Sequence, residues 1–361
     1  MHRRDSVESF LSDLSDLDNM YGTHPILTKS HSKRDSSYTK SWTDADWKLH
    51  QVKSYERYSR HIRSWFSSPT FFSVLPTLIS SFLWTLSCIF AVRVNLINNF
   101  VKQAPFSHSI SSFTSPISIL LALKTNRSLN RLFEARSVWG KMIRVCTSLA
   151  GMTVNYISPI DQELGILMGR YLAAFGWCMK GKLRGEDDSL VLRTLLPSSE
   201  MQWIETCSNA VGGISDNPSA IIFRLRSIVA KITNGSEGRL SIAASQVMEQ
   251  RLGELESSVG ICKKIVASPI PPTFTRMTSR VLCLFLGFLP LALVSSGMQS
   301  PVAILVIVTF LSYIFVGIDE IGVEVEYPFP LLPMYSLASN LKSGVGNQFR
   351  LMEEMRTGGV L

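Results

Sequence analysis

The chain has 361 residues, a hydrophobic fraction of 46 % and a formal net charge of +8. Its apolar residues fall in blocks and its basic residues flank those blocks, which disfavours nucleic acid as the partner of the charge and favours a membrane. The six cysteines are scattered, with no Cys-x-x-Cys pair and no histidine at ligand spacing, so they read as small buried hydrophobes rather than as a metal or disulfide framework.

Residues 1–45 are rich in Ser, Asp, Lys and Arg, and composition predicts a disordered tail. The tail lacks the apolar core of a signal peptide, and Asp5, Glu8, Asp13, Asp16 and Asp18 make it too acidic for a transit peptide. Between Trp47 and Trp65 the sequence turns basic and aromatic, which suits a helix lying at a headgroup boundary and equally a solvated helix.

The first apolar block, 71–92, is long enough to cross a bilayer core of about 30 Å. The second, 106–123, carries seven hydroxyl residues and Pro116. Such a segment suits a water-filled path or another helix better than lipid, and Pro116 should kink it. The third and fourth blocks, 281–294 and 301–316, are short, but the link 295–300 leaves room only for a tight turn. Together they read as a membrane hairpin, each arm extended by a turn into its flanks.

The intervening 124–280 is amphipathic and is expected to be a helical cytosolic region. Its most apolar piece, 164–179, contains Arg170 and three glycines and reads as a buried soluble helix rather than a fifth span. Asn217-Pro218 opens a helix that Asn234-Gly235 closes, and a long helix is expected over 239–266. No strand-like alternation is present, so the fold class is all-α: four membrane helices per subunit plus a helical cytosolic region. The segment 124–280 holds 20 Lys and Arg, whereas the loop after Arg93 has few and the 295–300 turn none. The positive-inside rule places both termini and the middle segment on the cytoplasmic side, and four spans satisfy that parity. The core of the protein is expected over 46–340, with 341–361 a C-terminal tail.

No P-loop, Gly-x-Gly-x-x-Gly, Gly-x-Ser-x-Gly or His-Glu-x-x-His is present, so an enzyme is not expected, nor a cofactor. No internal repeat marks a secondary transporter. A passive channel and a scaffold with a vestigial pore both fit these features.

Three stretches carry a resemblance. One is Pro105-Phe106-Ser-His-Ser together with the run from Leu121 through Lys124, Asn126, Arg131, Glu134, Arg136 and Trp139 to Gly140. Another runs from Gly260 through Pro269-Ile-Pro271-Pro272 to Arg280, and the last from Gly317 through Asp319-Glu320, Glu324 and Glu326 to Pro328-Phe329-Pro. All three resemble the bestrophin family, in particular its bacterial and plant thylakoid branch of anion channels, over roughly residues 38–345. The resemblance implies a homopentamer around one central pore that conducts chloride or another small monovalent anion, bicarbonate and nitrate included. It also implies a cell membrane, or a chloroplast thylakoid membrane, with lipids as the surrounding partner.

By position, the resemblance places an apolar neck at Leu123, Ile119 and Ser115, three residues that share a helix face at i, i+4 and i+8. Ser115 departs from the bulky apolar residue expected at the outer neck. An inner aperture falls at Ile265, or at Ser268 under a shifted alignment. Lys124, Arg127 and Arg131 are placed to raise the local anion concentration. Helix N-termini just after Pro105 or Pro116 would offer backbone N–H groups to the ion. Arg131, Glu134 and Arg136 equally suit an interhelical salt-bridge set. Animal bestrophins carry a run of acids after the Pro-Phe pair that helps form a calcium clasp. Here Pro328-Phe329 is followed by Pro-Leu-Leu-Pro-Met-Tyr-Ser-Leu, so regulation through such a clasp is not expected.

Overall fold

A computed structural model describes residues 2–23, 48, 50–51, 54–63, 65, 69–94, 106–210, 217–235, 240–298 and 300–358. Among them there is no strand. The helices are α1 (His2–Thr23), α2 (Ser54–Arg63), α3 (Pro69–Arg93), α4 (Phe106–Met152), α5 (Gln162–Arg184), α6 (Ser189–Leu195), α7 (Ser198–Ala210), α8 (Asn217–Thr233), α9 (Ile242–Ala267), α10 (Pro272–Ser295), α11 (Pro301–Glu326) and α12 (Met334–Thr357). A five-residue π-helix, Thr153–Ile157, follows α4.

The chain divides into two compact units. The first gathers described residues from 1–41, 134–267 and 329–361, and the second those from 42–133 and 268–328.

In the first unit the central helix is α5, the segment read as buried rather than spanning. Asp161 caps it, its carboxylate accepting from the Leu164 N–H at 3.0 Å, and Gly185 ends it in the left-handed region at φ 67°. Its glycines serve close packing. A Cβ on Gly169 would come within 2.6 Å of the Phe349 ring of α12. Predicted and observed boundaries agree closely for α8, with Asn217-Pro218 at its start, and for α9.

Two expectations fail in this unit. The acidic start of the chain is not tail-like over His2–Thr23, because Val7, Phe10, Leu14 and Leu17 form a stripe at helical spacing that buries completely or nearly so. Phe10 meets Phe349 edge-on at 5.1 Å, Arg170 lies over its ring, and Arg170 also pairs with Asp13 at 2.7 Å. Lys342 of α12 is buried and donates to the Leu14 carbonyl at 2.8 Å. Likewise 341–361 is no tail through Thr357: it continues α12, burying Leu341, Val345 and Phe349. Phe10→Ala is therefore expected to cost about 3–5 kcal/mol, as for other buried Phe truncations. A lowered melting temperature, with new proteolytic cleavage within α1, would show it.

Cysteines behave as read from sequence at Cys88, Cys146, Cys178 and Cys262, which are buried, whereas Cys283 is exposed. Burial pushes the Cys146 and Cys178 thiols well up and the Cys262 thiol to about 12, so these three stay protonated and unreactive.

Among the described residues of the second unit, three helices are long and apolar enough to cross a membrane: Thr70–Arg93 within α3, Pro272–Ser295 and Pro301–Glu326. The last two form the expected hairpin, turning through Gly297 at φ 88°, with Ser300 and Pro301 opening α11. Both arms exceed their apolar blocks, α10 toward its N-terminus and α11 toward its C-terminus, as short blocks flanked by extra turns require. The serine-rich 106–123 segment does not reach the hydropathy of the other three. It forms the first turns of α4, which runs on as one helix of 47 residues. Pro116 lies inside that helix, so no helix N-terminus follows it, and Pro105 falls outside the described residues.

Candidate pore-lining face and its anchors

Two opposite faces of α4 meet different surroundings in the second unit. Ile117 (4 % exposed) and Leu121 (2 %) pack into a cluster with Leu282, Phe285, Leu286 and Leu289 of α10 and Ile304, Val308 and Phe315 of α11. Half a turn round the helix, Ile119 is 57 % and Leu123 46 % exposed, and both Ser112 and Ser115 are exposed as well. At 100° per residue these four and Asn126 form one continuous stripe. A helix that buries Ile117 and Leu121 but leaves Ile119 and Leu123 open presents a second, unpacked face within this unit. Two hydroxyls off the stripe are satisfied locally: Thr114 and Ser118 donate to the Ile110 and Thr114 carbonyls, at 3.1 and 2.9 Å.

The three cations expected to gather anions separate into different roles. Lys124 is fully buried, its Nζ 2.5 Å from Asp319 Oδ1 of α11, with its stem running past Gly322. That corrects its reading as an open cation: the pair's charge is neutralised inside the helix packing. Arg131 donates from Nε to the Glu326 carbonyl at 3.0 Å and from Nη1 to the Ser268 carbonyl at 2.6 Å. The Ile270 N–H in turn donates to Glu326 Oε1 at 2.9 Å. Arg131 thus ties α4 to the Ser268-Pro269 bend and to the end of α11, the linking role its sequence position equally allowed. Only Arg127 of the three stays exposed, with its guanidinium over the Phe274 ring at 5.1 Å.

The aperture residues lie in different settings. Ile265 is 2 % exposed and continues the buried stripe of α9 through Leu255, Val259 and Cys262, so its side chain is committed to the first unit's core. Ser268 is exposed, beside the carbonyl that Arg131 holds. In the first unit Glu134 pairs with Lys264 at 3.7 Å, as the salt-bridge reading allowed.

Sequence reading missed Arg184. Its Nε donates to the Phe329 carbonyl at 3.2 Å, and its Nη2 to the carbonyls of Leu332 at 2.8 Å and Pro330 at 3.4 Å. One guanidinium therefore fixes the turn that follows Phe329, which is itself fully buried. Nothing local to Arg184 marks a partner some 145 residues away. Arg184→Ala strands these carbonyls and is expected to cost about 2–4 kcal/mol. Arg184→Lys should recover only part of it, since one ammonium cannot reproduce the planar fork. Melting temperatures of the two variants check both statements.

A family model described as "Bacterial/Fungal Bestrophin protein" matches residues 53–347. Among relatives, the chain is 26 % identical over 314 residues to voltage-dependent chloride channel 1, chloroplastic, of Arabidopsis thaliana, covering 84 % of this chain and 72 % of that one. It is 24 % identical over 285 residues to a voltage-dependent anion channel-forming protein of Nostoc, covering 74 % and 86 %. Among solved structures, a bacterial bestrophin homolog from Klebsiella pneumoniae superposes with TM-score 0.67 at 23 % identity, over 76 % of this chain and 98 % of that one. The all-α fold, the apolar hairpin and a family match running through both units lead to one assignment: this membrane protein belongs to the bestrophin family.

Proposed function

We propose that the chain is one subunit of a passive channel for chloride or another small monovalent anion, with five copies placing the open stripe of α4 around a central pore. The observation that carries this reading is the exposed apolar pair Ile119 and Leu123 on a helix whose other face is fully packed. The relatives named as chloride and anion channels support it. In this reading 106–123 is the fourth crossing segment, kept moderately polar because it faces the pore. Rings of Leu123 and Ile119 form a neck that gates by dewetting, and Ser115 leaves its outer end wider and wetter. Arg127, the exposed member of the three cations, gathers anions at the inner end of the neck. The inner aperture falls to Ser268, because Ile265 is buried.

The channel works without a calcium clasp. No carboxylate follows Phe329, and the carbonyls of its turn are engaged by Arg184. The channel is a conduit and not an enzyme.

Purified protein in liposomes with a chloride gradient should give electrogenic chloride flux, unchanged when a calcium chelator is added. Absence of flux at every voltage tried would leave the scaffold reading in its place.

A further inference from the structure

Away from the α4 stripe, the second unit carries a groove of about 470 Å³ between α3 and α11, within the size range of small-ligand sites. Trp65, Phe71, Leu78, Phe82, Phe310 and Tyr313 are among its walls. The two helices are pinned together beside it, by a 2.8 Å hydrogen bond between the Ser81 and Ser312 hydroxyls and by the Ser73 hydroxyl donating to the Glu320 carboxylate. The groove is therefore a fixed feature of the packing. Its α11 wall runs from Leu305 to Tyr313, about 12 Å at 1.5 Å per residue, against about 15 Å for one leaflet of a hydrocarbon core. One end is marked by Trp65 and Tyr313, with ring centroids 5.5 Å apart, the pair of residue types that favours the membrane–water boundary.

The chain leading into that end is α2. Tyr55, Tyr58 and Ile62 are 83 %, 62 % and 63 % exposed, no residue of α2 is buried, and Arg57 lies over the Tyr58 ring at 5.6 Å. Arg57, Arg60, His61 and Arg63 occupy the rest of the helix circumference, with Arg60 farthest round from those three and Glu56 the one acid of the helix. An apolar face without a core partner, backed by a basic face, is the pattern of a helix lying in a membrane interface and drawing anionic headgroups. Arg63 precedes Trp65 by two residues, so the basic helix ends at the mouth of the groove.

We propose that this groove holds one acyl chain of an anionic phospholipid whose headgroup is taken by the basic face of α2. The apolar groove of leaflet depth sets the chain, and the charge of α2 sets the headgroup.

The full chain would be reconstituted in nanodiscs of equal parts phosphatidylglycerol and phosphatidylcholine, extracted in mild detergent, and its retained phospholipid counted by mass spectrometry of the intact complex. Phosphatidylglycerol should be retained over phosphatidylcholine by roughly tenfold or more. Arg57→Gln with Arg63→Gln should bring that ratio close to one while a lipid is still retained. Val306→Trp fills the groove from an exposed rim position, 62 % exposed, and should abolish retention of either lipid without disturbing the fold. A photo-reactive residue at Phe310 should label lipid. Equal retention of the two lipids by the unaltered chain, unchanged retention in Val306→Trp, or labelling of a second copy of the chain from Phe310 would each overturn the proposal.

Discussion

Alanine at both Ile119 and Leu123 is expected to raise anion current through the reconstituted protein several-fold, with a flatter dependence of opening on conditions. Each substitution deletes three carbons from a side chain about half exposed along the open stripe of α4. Because neither side chain supports the packed core, stability should fall by well under the 2–5 kcal/mol of a buried truncation. In a ring of five copies the same deletions widen the constriction and remove apolar surface that water must wet before an ion can pass. A barrier lowered by about 1.4 kcal/mol is a tenfold rise in rate, less than two buried methylenes are worth. The control is built into the same helix. Ile117→Ala and Leu121→Ala delete similar volumes from the packed face and should cost about 2–5 kcal/mol with no gain in current. Planar-bilayer recordings beside melting curves separate the two faces. Equal currents from the open-face variants and the unaltered chain would remove Ile119 and Leu123 from the neck.

That contrast rests on information the sequence holds only in part. Ile119 and Leu123 share a face by spacing alone, but Ile117 and Leu121 share one equally well, and nothing in the spacing says which pair is packed. The hairpin of α10 and α11 was legible because two apolar blocks and a six-residue link allow little else. The burial of 164–179 was legible too, since an arginine and three glycines suit close helix packing better than lipid. The buried face of α1 was hidden by its neighbours. Val7, Phe10, Leu14 and Leu17 have helical spacing, yet Ser and Asp residues around them depress the average on which disorder is judged. The end of α12 was hidden in the same way.

Charged residues were the least legible, because a charge is assigned by its partner and the partner lies far along the chain. Arg131 reaches Glu326, and Arg184 reaches Leu332. Sequence alone leaves Arg131 open between gathering anions and pairing with another helix, and it gives Arg184 no role. In the structure both hold backbone carbonyls, so their charges serve position before they serve an anion.

Lys124 poses that question most sharply, because it directly follows Leu123. If it were an open anion attractor, Lys124→Met would lower conductance and leave stability intact. The buried pair with Asp319 predicts otherwise. Removing the ammonium leaves a carboxylate, 16 % exposed, among packed helices with its charge uncompensated. Breaking a buried pair from one side typically costs about 3–5 kcal/mol. Lys124→Met should therefore melt well below the unaltered chain in detergent, and Asp319→Leu should do the same from the other side. Changing both together removes both desolvation costs and should restore most of the lost stability, since apolar replacements of buried pairs are often neutral or better. The double variant then isolates function. With α4 still held by the packing of Ile117 and Leu121, the current of the double variant should stay near that of the unaltered chain if Lys124 only anchors α4 to α11. A stable double variant with strongly reduced current would instead assign Lys124 to the conduction path, against its full burial.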